Sequence, residues 1–448
     1  MKIKLILILG FLMEGSVPIL SWAQQKVGPT PSATQLAWHD KEFYLFMHFG
    51  PNTFTDLEWG HGSEDPNVFN PTALDCNQWA SIAKAAGAKG IIITAKHHDG
   101  FSLWPSKYSK HTVRESKWMN GKGDVIKMLS EACKKAGIEM GVYISPWDRN
   151  HPDYGTPQYN EIYIQTMKEL LTGYGRFFEL WWDGANGEGP NGKKQVYDFK
   201  RFQDAALSYQ PHLIIFSDIG PHIRWIGNEN GIINETNWNL LDTAGFKRGA
   251  GAPPNDTLNR GNFNGKVWIP GEADVSIRKG WFYHPEEDKT VKNGNALFDL
   301  YLKSVGRGGN LLLNVPPDRR GLIAAPDSAA LMQFKKIRDE AFAKNVFKGA
   351  KILKTKNSIE VHLNKEVNVN ALVLKEDIQW GQRVIRFEVS GGNNLEHFEM
   401  IASGTTIGHK RIIKFPLQKL KYLRIKFIEA KATPLLLGVE GYEFPQSL

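Results

Sequence analysis

The sequence predicts an α/β fold: a (β/α)8-type barrel followed by a C-terminal antiparallel β-sandwich. Three observations carry this. From about residue 40 to 345, short β-rich runs alternate with longer helical patterns. Polar and aromatic residues fall repeatedly just after those runs, where a parallel barrel exposes its strand ends. After about residue 350 the helical period gives way to two-residue alternation. An open doubly wound sheet is the competing architecture, but no Gly-x-Gly-x-x-Gly opens a helix.

The chain begins with Lys2 and Lys4 ahead of an apolar stretch through Met13, and Ser21-Trp22-Ala23 places small residues before Gln24. Residues 1–23 therefore read as an export signal, too short to span a bilayer, which predicts a periplasmic or extracellular protein. No later segment reads as transmembrane. The barrel is assigned to residues 24–346. Its first strand, Phe43-Tyr44-Leu45-Phe46, leads into His48-Phe49-Gly50. A helix from Trp79 to Ala86 stops at Gly87, and Gly90 to Thr94 forms a buried strand. The helix from Val125 to Ala136 stops at Gly137, and Met140 to Ile144 follows. Further runs lie at Phe177 to Trp182, Leu213 to Phe216 and Val267 to Ile269, with weaker strands inferred around 231–240 and 275–283. The barrel ends with Leu311-Leu312-Leu313 and a helix carrying Leu331, Phe334, Ile337 and Ala341 on one face. In residues 347–448, Val367, Val369, Ala371 and Val373 alternate with polar neighbours, as do Leu423, Ile425 and Phe427. This second domain holds no cluster of catalytic groups and reads as a packing module, with sugar binding as the alternative.

Composition narrows the function. The net charge of +8 is spread without a dense Lys/Arg stripe, which argues against nucleic acid. Most of the 14 tryptophans precede residue 290, as a recognition cleft would need, although core packing explains several. Cys76 and Cys133 sit in apolar helices and read as unpaired buried thiols rather than a disulfide.

Six segments gather polar residues at strand ends: His48, Glu58-Trp59-Gly60, His97-His98-Asp99-Gly100, Trp147-Asp148-Arg149, Trp181-Trp182-Asp183 and Arg224 through Glu229. A barrel would bring them to one opening. Asp183 stands out because an apolar strand rarely ends on a carboxylate without repayment. Beside it two indoles supply a sugar-binding wall, and Gly184 leaves room for a ligand. A structural role holding a lysine is the plainer alternative. A retaining glycosidase needs a second carboxyl about 5–5.5 Å away. Glu229, 46 residues beyond Asp183, is the leading candidate, because Trp225 and Ile226 supply apolar surroundings. Glu272 is its main rival, ahead of Glu235 and Asp242. His48, His97 and His98 invite a metal reading, but adjacent histidines lack the usual barrel spacing, and neutral imidazoles reading sugar hydroxyls need no ion. No metal and no cofactor are expected.

Together these segments resemble glycoside hydrolase family 29, the retaining α-L-fucosidases. The resemblance rests on His48-Phe49-Gly50, Glu58-Trp59-Gly60, Lys96 through Phe101, Trp181-Trp182-Asp183-Gly184 and Gly309 through Val315, in family order from about residue 35 to 440. It implies an eight-stranded barrel followed by a β-sandwich, no cofactor, and release of terminal fucose from a fucosylated glycan. It also implies Asp183 as nucleophile and Glu229 as acid/base, with His48, Glu58, Trp59, His97, His98 and Tyr143 on the fucosyl ring. Ser145 through Asn150 and Arg224 through Glu229 look like the subgroup preferring α-1,3/1,4-linked fucose, which adds Trp147 and Arg224 as substrate contacts, while Trp181, on the same strand face as Asp183, forms a wall beside it. Val315-Pro316-Pro317 departs from the glycine-containing strand end more usual in the family. Two other readings stay open: a fucose-binding protein without turnover, and a metal-dependent barrel hydrolase.

Overall fold

The computed structural model describes residues 25–445, so the export signal expected at 1–23 lies outside the described residues. Eight parallel strands close into a barrel: β1 (Phe43–Met47), β2 (Gly90–Lys96), β3 (Glu139–Ile144), β4 (Phe177–Trp181), β5 (Ile214–Ser217), β6 (Ile223–Trp225), β7 (Gly271–Ser276) and β8 (Asn310–Asn314). Each pairs with its chain neighbour, and β8 closes on β1. Helix α1 (Ala33–His39) precedes β1. Around the barrel run α2 (Cys76–Ala86), α3 (Val125–Ala136), α4 (Pro157–Gly173), α5 (Phe199–Tyr209), α6 (Gly294–Ser304) and α7 (Ala325–Ala341).

Local sequence sets these boundaries. Asp75, Asp124, Asp198 and Asn293 cap α2, α3, α5 and α6 by accepting from backbone N–H groups of the first turn. Gly87 and Gly137 end α2 and α3 at φ of 79° and 70°, which a side chain would resist. Leu331 and Phe334 of α7 are fully buried, and Ile337 packs partly buried against the same core. Cys76 and Cys133 are free buried thiols whose pKa values burial raises.

Two strands differ from the sequence expectation. The runs at 267–269 and 231–240 do not enter the barrel; Leu240–Leu241 and Val267–Trp268 form a small antiparallel ladder outside it. Barrel positions six and seven are taken instead by Ile223–Trp225 and Gly271–Ser276, so the strand inferred at 275–283 is displaced towards the N-terminus. Strand β6 has three residues and follows β5 after only residues 218–222. That short return works because Ile223 pairs with Phe216, so the chain drops back hardly at all before starting the next strand.

Beyond α7 a continuous antiparallel sheet forms from β9 (Lys351–Lys354), β10 (Ser358–Glu376), β11 (Val384–Gly392), β12 (Glu399–Thr405), β13 (Arg411–Ala430) and β14 (Leu436–Tyr442). Register breaks in the long β10 and β13 bend the sheet around its own core of Val361, Leu372, Phe387 and Leu423. Among the described residues no helix is long and apolar enough to cross a membrane.

Candidate active site

The barrel interior explains how the site is floored. Strand β4 carries one more residue than β3 between Met140–Phe177 and Val142–Leu180, a bulge that admits both Phe178 and Glu179 to the inside. Trp38 of α1 donates its indole N–H to Tyr44 and to Glu179, while Trp181 donates to Glu272 at 2.9 Å. Tyr44 also donates to Glu272. Burial raises both carboxyls, Glu272 to about 7, and the nearby Glu272 raises Glu179 further. Glu272 is therefore sealed below the site by Tyr44 and Trp181, and it does not line the cavity above.

That cavity, of about 230 Å³, is lined by Phe46, His48, Glu58, Trp59, His97, His98, Tyr143, Trp181, Asp183, Ala185, Glu229, Asp274 and Trp281. A larger groove of about 850 Å³ runs past Tyr197, Phe199 and Phe246, but none of the histidines or Asp183 lines it. The smaller cavity is where the chemistry gathers.

Asp183 follows β4 directly. Its Oδ2 accepts from the Tyr143 hydroxyl at 3.0 Å, its Oδ1 accepts from the Ala185 N–H at 2.7 Å, and His98 Nε2 stands 3.7 Å away. The space beside Gly184 is not ligand room as expected: a Cβ there would lie 2.3 Å from Asp218 Oδ2. Burial and the charge of Asp183 push Asp218 up to about 6. Glu229 sits exposed at the rim, accepting from the Trp281 indole at 3.1 Å. Partial burial and the charges of Asp183 and Glu58 raise its pKa against that hydrogen bond. Glu235 and Asp242 are exposed away from the cavity, Glu235 paired to Arg307.

The histidines are neutral bases. Burial pushes His48 and His98 down to about 4, and His97 well below its usual value. His48 Nδ1 donates to Asn314 Oδ1 at 2.9 Å, which leaves Nε2 with a lone pair. Asn314 also donates to the Trp281 carbonyl, so the end of β8 holds both residues. His98 Nδ1 shares a hydrogen bond with Ser145 at 2.7 Å, and His97 lies against Tyr143 with ring centres 5.7 Å apart. The run from Lys96 to Phe101 has a physical logic. Lys96 makes a buried ion pair with Asp148 at 3.1 Å, Asp99 Oδ1 accepts from Phe101 N–H, and Phe101 enters the core. Gly100 has φ of 82°, and a Cβ there would meet Asp148 Oδ1 at 2.3 Å.

Glu58 locks a loop across the mouth. It accepts from the backbone of Trp281 at 2.7 Å and Phe282 at 3.1 Å, and from His284 Nε2 at 2.7 Å. Burial alone would lower the His284 pKa, but the hydrogen bonds to Glu58 and Asp56 prevail and raise it. Among the described residues, the grouping of metal-ligand type is Asp56, His284 and Glu286, and it does not include the cavity histidines.

Two expected contacts do not reach the cavity. Arg224 is fully buried on the outer side of β6, spending its guanidinium on the carbonyls of Leu258, Ile269 and Trp238 and on Asn237. Trp147 donates to the Glu188 carbonyl at 3.0 Å and packs behind His98 and Trp59. Conversely, Asp274, Trp281 and the positioning Asn314 were missed, although the run Gly280-Trp281-Phe282-Tyr283-His284 has the aromatic density of a site loop.

The profile of the Alpha-L-fucosidase family matches residues 16–336. Alpha-L-fucosidase 1 of Arabidopsis thaliana is 40% identical over 91% of the chain and 86% of its own length. The fold is similar to a glycoside hydrolase 29 family member from an unknown rumen bacterium, with TM-score 0.89 and 40% identity, covering 94% of this chain and 78% of that one. It is also similar to a glycoside hydrolase 29 fucosidase of Ruminococcus gnavus in complex with fucose, with TM-score 0.84 and 28% identity, covering 94% and 96%.

Proposed function

Because the chain belongs to the alpha-L-fucosidase family of glycoside hydrolases, we propose that it releases terminal L-fucose from fucosylated glycans by a two-step displacement with net retention. The observation that carries this reading is that Asp183 and Glu229 line one cavity with room for a single sugar ring. In the first step an Asp183 oxygen bonds to the anomeric carbon as the glycosidic bond breaks. The departing oxygen keeps the electron pair and takes the Glu229 proton. In the second step Glu229 removes a proton from water, whose oxygen displaces the Asp183 ester and frees fucose. Tyr143 and the Ala185 N–H fix the two nucleophile oxygens. His48, His97 and His98, neutral at pH 7, accept or donate to ring hydroxyls, and Trp181 packs the apolar face and methyl group.

The preferred linkage in this proposal is α-1,3/1,4, supported by Ser145 through Asn150 and Arg224 through Glu229. Arg224 acts there by bracing the loop that carries Glu229 rather than by touching sugar. Residues 24–346 form the catalytic unit, residues 347–448 a packing unit, and residues 1–23 an export signal, which N-terminal sequencing of the mature protein tests. The decisive assay pairs an aryl α-L-fucoside with trisaccharides bearing α-1,2, α-1,3 or α-1,4 fucose, following the first-formed anomer by NMR. Release of α-fucose from the branched substrates supports the reading. Binding without release favours a turnover-deficient fucose-binding protein, and β-fucose as first product overturns the two-step route.

A further inference from the structure

Two carboxyls in the cavity have no part in the steps above: Glu58, which is spent on locking the mouth loop, and Asp274. Glu272, Asp274 and Ser276 alternate along β7 and face the barrel interior. Glu272 is tied to Tyr44 and Trp181 below, and Ser276 accepts from Asn314 at 3.0 Å above. Asp274 lies between them, 2% exposed, lining the cavity with Asp183 and Glu229. No protein group partners its Oδ1 among the described residues.

Buried carboxyls with structural work in this chain look different. Asp148 has Lys96, Asp327 has Arg278, and Glu376 accepts from the N–H groups of Arg383, Val384 and Gly408. Among the described residues Asp274 has no cation beside it, and its charged neighbours are the carboxyls of Glu229, Glu272 and Asp183. Burial first, then those charges, raise its pKa well above the usual carboxylate range. A neutral carboxyl presents one O–H donor as well as acceptor capacity, and a buried donor demands an acceptor. The surroundings that provide one are the contents of the cavity.

We propose that Asp274 is a sugar-reading residue, whose neutral carboxyl donates a hydrogen bond to one ring hydroxyl of the fucose seated between Asp183 and Glu229. This rests on the fucosidase reading above and adds a recognition element to it. Asp183 and Glu229 act at the anomeric carbon and its leaving oxygen, whereas Asp274 would act from the barrel floor on the ring itself.

The test is calorimetric titration of L-fucose and of its 2-, 3- and 4-deoxy analogues into the wild-type protein and into Asp274→Asn and Asp274→Leu. The Asn variant keeps a donor in the same shape, and Leu removes it at similar volume. The expected result is that Asn binds L-fucose within about 5-fold of wild type while Leu weakens it by roughly 10–100-fold. The Leu penalty should vanish for one deoxy sugar and persist for the other two, a pattern that a general structural defect does not produce. Equal Leu penalties for all three analogues, or an Asn loss as large as the Leu loss, overturn the role of Asp274 and leave the fucosidase reading standing. Failure of the wild-type protein to bind L-fucose overturns that reading, and the role of Asp274 with it.

Discussion

At the scale of single residues, the site separates two carboxyls by environment. Asp183 has both oxygens engaged by fixed donors, while Glu229 stands at the rim with its pKa raised by partial burial and two neighbouring charges. Asp183→Ala should lower turnover by about 10³-fold or more while leaving fucose binding measurable, and added azide should restore product of inverted configuration; steady-state kinetics with product NMR checks both. Glu229→Ala should slow trisaccharides by about 10²–10⁴-fold but activated aryl fucosides far less, because only poor leaving groups need the proton. Equal slowing of both substrates would assign the acid elsewhere. Asp183 and the three histidines could be read from the sequence because each closes or follows a strand whose apolar run is plain, whereas Glu229 follows the three-residue β6 and was marked only by its apolar neighbours Trp225 and Ile226. Arg224 misled because a charge at a strand end reads the same whether it faces the cavity or, as here, a shell of backbone carbonyls.

At the scale of elements, most of the barrel was legible and β6 and β7 were not. Ile223–Trp225 is too short to show a period, and Gly271–Ser276 carries Glu272 and Asp274 where a buried strand should be apolar. The interior tolerates Glu272 because Tyr44 and Trp181 bind it, a tertiary fact that no local pattern encodes. Missing β7 is also why Asp274 and Trp281 escaped notice. The excursion between β6 and β7 holds Glu229 at its start and is tied down by the C-terminal sheet at 235–239. Gln382 accepts from Asn239 N–H at 2.9 Å and donates to the Asn237 carbonyl at 2.8 Å, while Thr406 accepts from Asn237 N–H at 3.0 Å. Gln382→Ala leaves two buried backbone groups unpaired and should cost about 2–4 kcal/mol in urea unfolding. It should also reduce kcat on trisaccharides more than on aryl fucosides, since the loop it braces carries the acid. An unchanged midpoint would show that the sheet does not brace the loop.

Across the whole molecule, buried titrating groups pull stability in opposite directions. Histidines with lowered pKa, such as His48 and His98 at about 4, support the fold above pH 6.5 and lose that support as pH falls towards 4. Carboxyls with raised pKa, such as Glu272 and Glu376 at about 7, do the reverse: their contribution is whole below about 4.5 and is lost as pH rises through 7. Glu272→Gln removes one member of the second group, so its stability relative to wild type should rise between pH 5 and pH 7.5, by about a few kcal/mol at most, and its Tm should rise relative to wild type accordingly. A pH-independent difference between the two melting curves would mean that Glu272 does not titrate in that window. Such an arrangement trades fold stability for a barrel mouth that holds its histidines neutral around the nucleophile. The central claim, that Asp183 attacks the anomeric carbon, is tested most directly by trapping. Incubation with 2-deoxy-2-fluoro-α-L-fucosyl fluoride should expel fluoride and leave the fluorosugar as an ester, and peptide mass spectrometry should find it on Asp183. A label on Glu229, Asp218 or Asp274 instead, or turnover with no ester formed, would contradict the account.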